Sequence, residues 1–328
     1  MTYRVFGIEM SPYSVKVRSY FRYKQIPHEW VIRRMDRIPE FKKYAKLPLV
    51  PLVVTPEDEG VQDSSPIIER MEEKFPEPSI HPPEPVARFV SELIEEYGDE
   101  WGNKPMFHYR WAYEPDQESA ARLIAKDSAP ENAPDALIDG VAGQIKQRMV
   151  PRLSFVGSSD RTASLIEDSF ERQLSILQAH LSSRPYLFGG RPAFADFGLY
   201  AQLYEARLDP TPGAMLREQA PAVSAWIDRM LEPKVEGEFE PWSALQETLR
   251  PLLEQEVAGC FLPWTQANAA AIAEGADTMT ASILGGEFSQ KPQKYHAKSY
   301  AVLKAKRGQV DDPELAALLE DTGCAAFL

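Results

Sequence analysis

Residues 8–18 read IEMSPYSVKVR, and the fold follows from how this stretch is taken. Just upstream, residues 2–8 (TYRVFGI) alternate and are rich in β-forming side chains, which predicts a strand. Downstream, Val15, Val17, Tyr20, Phe21 and Tyr23 return at near-helical spacing among Lys and Arg, with Ser11 at an N-cap position and Pro12 at the first helical position. The stretch is thus the tight turn of a strand-turn-helix unit. Farther out, His28 to Arg33 predicts a second strand, Val50 to Thr55 a third that ends in the turn-forming PEDEG, and a short fourth lies near Val61. A second Ser-Pro helix start follows in QDSSPIIERMEEKF, and the βαβ…ββα order closes near residue 80.

The proline-rich segment FPEPSIHPPEPVAR (75–88) cannot continue a helix and reads as a linker. Beyond it the pattern is helical, over 86–101, about 117–127, 134–150, 161–182, 194–207 and 220–231, which predicts an all-helical domain over 85–231. Residues 232–328 read as a further helical extension, with Trp242, Phe261 and Trp264 as buried anchors and a turn at Gly285-Gly286. The expected fold class is α/β plus all-α: an N-terminal α/β domain over 1–80, the helical domain, and the tail.

Composition narrows the chemistry. A formal net charge of −13 argues against general nucleic-acid binding. It is unevenly spread: residues 1–80 hold thirteen Lys and Arg against twelve Asp and Glu, and Lys16 to Lys46 alone holds ten basic and three acidic residues. Solvated faces account for most of such a run, and a small anionic ligand beside it is the alternative. The two cysteines, Cys260 and Cys324, and the five scattered histidines have no metal-ligand spacing, so no metal site is expected. No signal-peptide pattern and no membrane-length apolar run are present, so the default expectation is a cytoplasmic protein without a membrane partner.

Ser11-Pro12-Tyr13-Ser14 keeps the frame of the Cys-Pro-Tyr-Cys site of small thioredoxin-fold redox proteins but has neither sulfur, so dithiol chemistry is excluded there. The chain instead resembles the soluble glutathione S-transferases of the serine type, at four points in order over residues 3–231. Ser11 to Arg18 is similar to the family's Ser-Pro-Phe-x-x-Arg-Val-Arg run, Val50-Pro51-Leu52 to its cis-proline motif, and Gln62 to Ile67 to its Glu-Ser-x-Ala-Ile signature. Phe188 to Asp196 is similar to the Gly…Ser-x-Ala-Asp motif of its helical domain. The resemblance implies a thioredoxin-like N-terminal domain, an all-helical transferase domain, glutathione as co-substrate, detoxification-type chemistry and a homodimer.

It also implies roles. Ser11 would stabilise the glutathione thiolate, and the exchange of cysteine for serine then replaces redox chemistry by nucleophile activation. A helix N-terminus favours an anion, and a hydroxyl can give it one charge-assisted hydrogen bond. Tyr13 and Ser14 are reserve donors, and a plain helix cap remains the alternative for Ser11. Val50 and Pro51 would pair with the cysteinyl backbone like an added strand, Asp63 would take the γ-glutamyl α-amino group, and Ser64 and Ser65 would take its carboxylate. One of those two serines is expected to serve only as a cap. Two departures stand out: Ala193 replaces the family's helix-capping Ser or Thr, and Leu49 replaces a basic or amide residue, so the glycine carboxylate needs another cation.

The aromatic run in EEYGDEWGNKPMFHYRWAY (95–113) suits a pocket for a small hydrophobic electrophile, for which Trp101, Phe107, Tyr109 and Trp111 are the candidates. It suits a core or a dimer interface as well. The tail's basic and aromatic run KPQKYHAKSYAVLKAKR (291–307) reads as a solvated helix face, and the tail is expected to pack over the cleft. The rival reading is a transferase-derived binding or scaffold protein without turnover. A glutaredoxin-like reductase is a poorer third.

Overall fold

The computed structural model describes residues 2–328. Its first unit is a mixed sheet in the order β2-β1-β3-β4, with β1 (Tyr3–Gly7), β2 (His28–Ile32), β3 (Leu52–Val54) and β4 (Gly60–Gln62). β1 runs parallel to β2 and antiparallel to β3. Helices α1 (Pro12–Tyr23), α2 (Ile38–Tyr44) and α3 (Ser64–Lys74) complete the unit, as a thioredoxin-like order requires. Short α2 was not legible, because only Phe41 of its seven residues is buried and no apolar periodicity marks it.

The segment before the helical part is packed rather than loose: Ile80 is fully buried and its carbonyl accepts from the Phe194 N–H at 2.9 Å. The helical part comprises α4 (Pro85–Glu100), α5 (Asn103–Ala112), α6 (Glu114–Ser128), α7 (Asp135–Met149), α8 (Ala163–Leu181), α9 (Phe194–Leu208), α10 (Pro210–Gln219) and α11 (Pro221–Leu231). Of these, α5 and α10 were not among the expected helices. Helix α4 crosses α9 at a glycine pair, where a Cβ on Gly98 would lie 2.9 Å from the Leu199 nitrogen and one on Gly198 2.9 Å from the Glu95 carbonyl. At the start of α9, where Ala193 has no capping hydroxyl, the Asp196 N–H donates to the Ala193 carbonyl at 3.0 Å instead, and the Asp196 carboxylate accepts from the Ala193 N–H at 2.8 Å, from Leu187 N and from Trp226 Nε1.

The tail departs from the all-helical expectation. Helix α12 (Trp242–Leu252) runs through a π-helical stretch, Leu253–Phe261, into α13 (Leu262–Glu274). Pro251 lies just before the wide turns and lacks the N–H an α-helix would use there. A hairpin follows, β5 (Met279–Ile283) and β6 (Gly286–Gln290), then α14 (Lys294–Gly308) and α15 (Pro313–Asp321). The hairpin turns on Leu284 and Gly285, both at positive φ, one residue before the expected Gly285-Gly286 turn. Its strands alternate buried and exposed residues, a period hidden by the alanine-rich helix before it. Trp242, Phe261 and Trp264 are buried as expected, and they share one contiguous core with Tyr97 and Trp101 of the helical part. Cys260 and Cys324 are both buried in the tail and unpaired.

Candidate active site

Ser11 caps α1. Its backbone is extended (φ −127°, ψ 112°) and its Oγ accepts the Ser14 N–H at 3.4 Å. The Ser11 hydroxyl proton has no acceptor among the described residues, so a donor is left over for a ligand. Of the reserve candidates, Tyr13 is committed elsewhere, whereas the Ser14 hydroxyl is buried without a hydrogen-bond partner among the described residues. The Tyr13 hydroxyl donates to the Asp99 carbonyl at 3.0 Å and accepts from Asn103 Nδ2 at 3.1 Å, and burial, then the Asp99 charge, holds its pKa well above the phenol range. Ser14 is fully buried, with its Cβ turned toward Gly7 of β1.

A cavity of about 260 Å³ opens beside this turn, lined by Tyr13, Leu47, Leu49, Val50, Pro51, Gln62, Asp63, Ser64, Tyr295 and His296. It brings Val50, Pro51, Asp63 and Ser64 to one wall. Ser11 is not part of the lining, although Tyr13, two residues on, is. The Val50-Pro51 peptide is cis, and Val50 has neither a backbone donor nor an acceptor bond among the described residues. Gln62, also in the lining, holds the 46–49 loop: its Oε1 accepts from the N–H groups of Lys46 and Leu47, and its Nε2 donates to the carbonyls of Leu47 and Leu49.

The two serines divide. Ser64 lines the cavity, and its hydroxyl has no partner among the described residues. Ser65 is turned away: it meets Lys16 Nζ at 2.9 Å and Glu95 Oε1 at 2.8 Å. Of the two serines, one of which was expected only as a cap, it is Ser65 that leaves the ligand side, and it does so toward Lys16 and Glu95 rather than as a cap. Asp63 stands at the N-cap position of α3 at φ +83°, a backbone region costly for a non-glycine residue. Its carboxylate makes no cap bond and points at Tyr295, whose hydroxyl donates to its two oxygens at 2.9 and 3.1 Å.

Beneath this wall lies an ion network that the sequence did not announce. Lys16, without solvent contact, pairs with Glu95 and, at 2.7 Å, with Asp99. Burial opposes its charge, but Asp99 and Glu95 outweigh that and raise its pKa. Asp99 also takes the Tyr13 hydroxyl on its carbonyl, so α1, α3 and α4 are tied together directly under the cavity. Glu95 and Asp99 stand four residues apart on α4, but Arg88, Glu92, Glu96 and Glu100 share that helix, so the pair does not stand out in the sequence.

Most of the basic run is spent on neighbours rather than left for a ligand. Lys24 pairs with Glu72, Arg18 with Glu9, Arg22 with Glu232, Arg37 with Glu40 and Lys43 with Asp58. Arg33, Lys42 and Lys46 have no carboxylate partner among the described residues, and Arg33 donates to the carbonyl of Pro48, between Leu47 and Leu49 of the lining, at 3.0 Å.

The four aromatic candidates do not line the cavity, which corrects the pocket expectation. Trp101 is 1% exposed, donates to Ser169 Oγ and packs edge-on against Trp264 of the tail. Trp111 is 1% exposed in a second cluster with Met10 and Ala120, Tyr109 packs on Phe170, and Phe107 bridges toward Trp111. The tail buries Trp101 through Trp264 and Phe288, whereas Trp111 and Tyr109 are made core by α6, α7 and α8. The cavity's own aromatic wall, Tyr295 and His296, comes from a run read as a solvated face, and only the docking of the tail reveals it.

Family models agree with this architecture. "Glutathione S-transferase, N-terminal domain" matches residues 5–79 and "Glutathione S-transferase, C-terminal domain" matches residues 138–229, together about half of the chain. The chain belongs to the glutathione S-transferase family. Among solved structures it is similar to the β-etherase LigF from Sphingobium sp. strain SYK-6, at 20% identity over 76% of this chain and 99% of that one, with a TM-score of 0.49. A transferase from Methylobacterium radiotolerans JCM 2831 in complex with glutathione sulfonate is similar at 20% identity, over 70% and 90% of the two chains, with a TM-score of 0.46. One from Methylobacillus flagellatus KT with glutathione bound is similar at 16% identity, over 70% and 95%, with a TM-score of 0.42. No curated protein sequence matches the chain.

Proposed function

We propose that the protein binds glutathione in this cavity and activates its thiol for attack on an apolar electrophile. The observation that carries the reading is the single wall formed by Val50 with its free backbone groups, Asp63 and the free hydroxyl of Ser64, next to a helix start whose Ser11 proton lacks an acceptor. Val50 would pair with the cysteinyl unit, Asp63 with the α-ammonium group, Ser64 with the γ-glutamyl carboxylate and Arg33 with the glycine carboxylate. The electrophile would meet Leu47, Leu49 and Tyr295, which are 58%, 62% and 54% exposed around the mouth. Two copies would pair, as the family resemblance implies, on faces outside the tail-covered side of α4. Sedimentation velocity of the full chain is expected to show a dimer.

The test is a pH titration of bound glutathione, followed by thiolate absorbance, in the wild-type chain and in Ser11→Ala. In the wild type the thiol pKa is expected to fall by about two units from its free value near 8.5. The variant is expected to bind without that drop. The second reading, a binding protein without turnover, is favoured by the burial of all three of Trp101, Tyr109 and Trp111 in the core. Binding with an unshifted thiol in the wild type would decide for it.

A further inference from the structure

Of the two tail residues that line the cavity, Tyr295 is the one bonded to Asp63, and its position is built. Asn268, fully buried in α13, clamps the backbone two residues earlier: its Nδ2 donates to the Gln293 carbonyl at 3.0 Å and its Oδ1 accepts the Gln293 N–H at 2.7 Å. On one side Gln290 is held by Lys104, by Trp264 Nε1 and by the Phe155 carbonyl. On the other, the His296 ring stands edge-on to Trp264 at 4.9 Å, and Lys306 pairs with Glu69 of α3 at 2.7 Å. A segment pinned at each of these points is a fixed wall.

From it the Tyr295 hydroxyl reaches the one carboxylate in the cavity lining. An ionised carboxylate offers about four acceptor positions, and a phenol proton shared between its two oxygens leaves about two of them open. An ammonium group can therefore bind Asp63 while Tyr295 stays in place, and the tyrosine fixes the direction in which the remaining lone pairs point.

We infer that Tyr295 is a positioning residue for ligand recognition: it orients Asp63 to receive a free α-ammonium group, and so makes the cavity selective for peptides that begin with an unblocked γ-glutamyl unit. The inference rests on the glutathione reading above and adds to it a selectivity supplied by the tail.

The test compares the affinity of the full chain for glutathione and for its desamino analogue, in which a glutaryl group replaces γ-glutamate, by isothermal titration. The wild type is expected to prefer glutathione. In Tyr295→Phe, which keeps the ring, glutathione is expected to weaken five- to tenfold with the analogue unchanged, so that the preference shrinks. Asn268→Leu, which frees Gln293, is expected to reproduce that loss of preference, and an unaltered thermal midpoint for Tyr295→Phe establishes that the fold is intact. An unchanged preference in Tyr295→Phe while the wild type binds glutathione overturns this inference alone. Tighter glutathione binding in that variant also overturns it, because the tyrosine would then be an obstruction. A wild-type chain that binds neither peptide overturns the glutathione reading together with it.

Discussion

Lys16 lies without solvent contact between Glu95 and Asp99, and its removal tests the foundation of the site. Replacing it with methionine leaves two buried carboxylates uncompensated, which is expected to cost about 3–5 kcal/mol in urea unfolding. Adding Glu95→Gln and Asp99→Asn to the same chain is expected to restore most of it. A single variant within about 1 kcal/mol of wild type would show that the pairing does not hold the wall together. At this scale the sequence was partly readable. Ser11, Asp63 and Ser64 stood in motifs whose spacing placed them at helix starts, where local backbone rules apply. Ser65 was not readable, because its orientation depends on Lys16 and Glu95, forty-nine and thirty residues away in the chain. Tyr295 lies farther still from Asp63, and no local pattern links them.

Between elements, α4 and α9 cross backbone to backbone at the Gly98–Gly198 pair. Gly98→Ala puts a methyl group against backbone that cannot yield like a side-chain tip, and about 1–3 kcal/mol of destabilisation is expected. Because Asp99 is the next residue, the same change is expected to weaken glutathione binding, with Ala-to-Gly reversion as control. The α8–α12 contact carries a pH dependence. His180 is fully buried, its ring bonded to Thr248 Oγ1 at 2.7 Å and to the Leu187 carbonyl at 2.8 Å. Burial lowers its pKa to about 4 from an ordinary 6.5. Between those values the unfolded chain binds a proton that the folded one refuses, so this contribution is complete above pH 6.5 and is lost as pH falls toward 4. Its full size is of order 3 kcal/mol. Unfolding midpoints measured across that window are expected to fall less steeply in His180→Gln. Helices with one strong apolar face, such as α1 and α11, could be read from their period, whereas the β5–β6 hairpin could not. Its five-residue strands follow an alanine-rich helix with only Gly275 between them as a break, and neighbouring helical periodicity masks so short an alternation.

At the level of the whole molecule, the tail is part of the main core. Leu245, Leu249, Leu252, Val257, Phe261 and Trp264 are fully buried in the cluster that also holds Tyr97, Phe170 and Leu174. A chain ended after Leu231 would bare that face of α4 and α8. It is expected to aggregate or to lose cooperative unfolding, read by light scattering and circular dichroism, while the full chain melts in one transition. A soluble, cooperatively melting truncation would mean that the tail is a separable addition. The sequence supplied the order of the parts and the need to bury three large aromatics. It could not say where they would dock, because docking depends on the shape of a face that several distant helices build together.

Both cysteines belong to this docked tail, Cys260 in the π-helical stretch and Cys324 near the chain end, and burial pushes both thiols up, to about 11 for Cys324. A protein proposed to handle a reactive thiol thus keeps its own two out of circulation, where neither a glutathione disulfide nor an alkylating substrate reaches them in the folded state. They become an internal clock: the rate at which a thiol reagent modifies each one under native conditions reports how often the tail lifts from the helices beneath it.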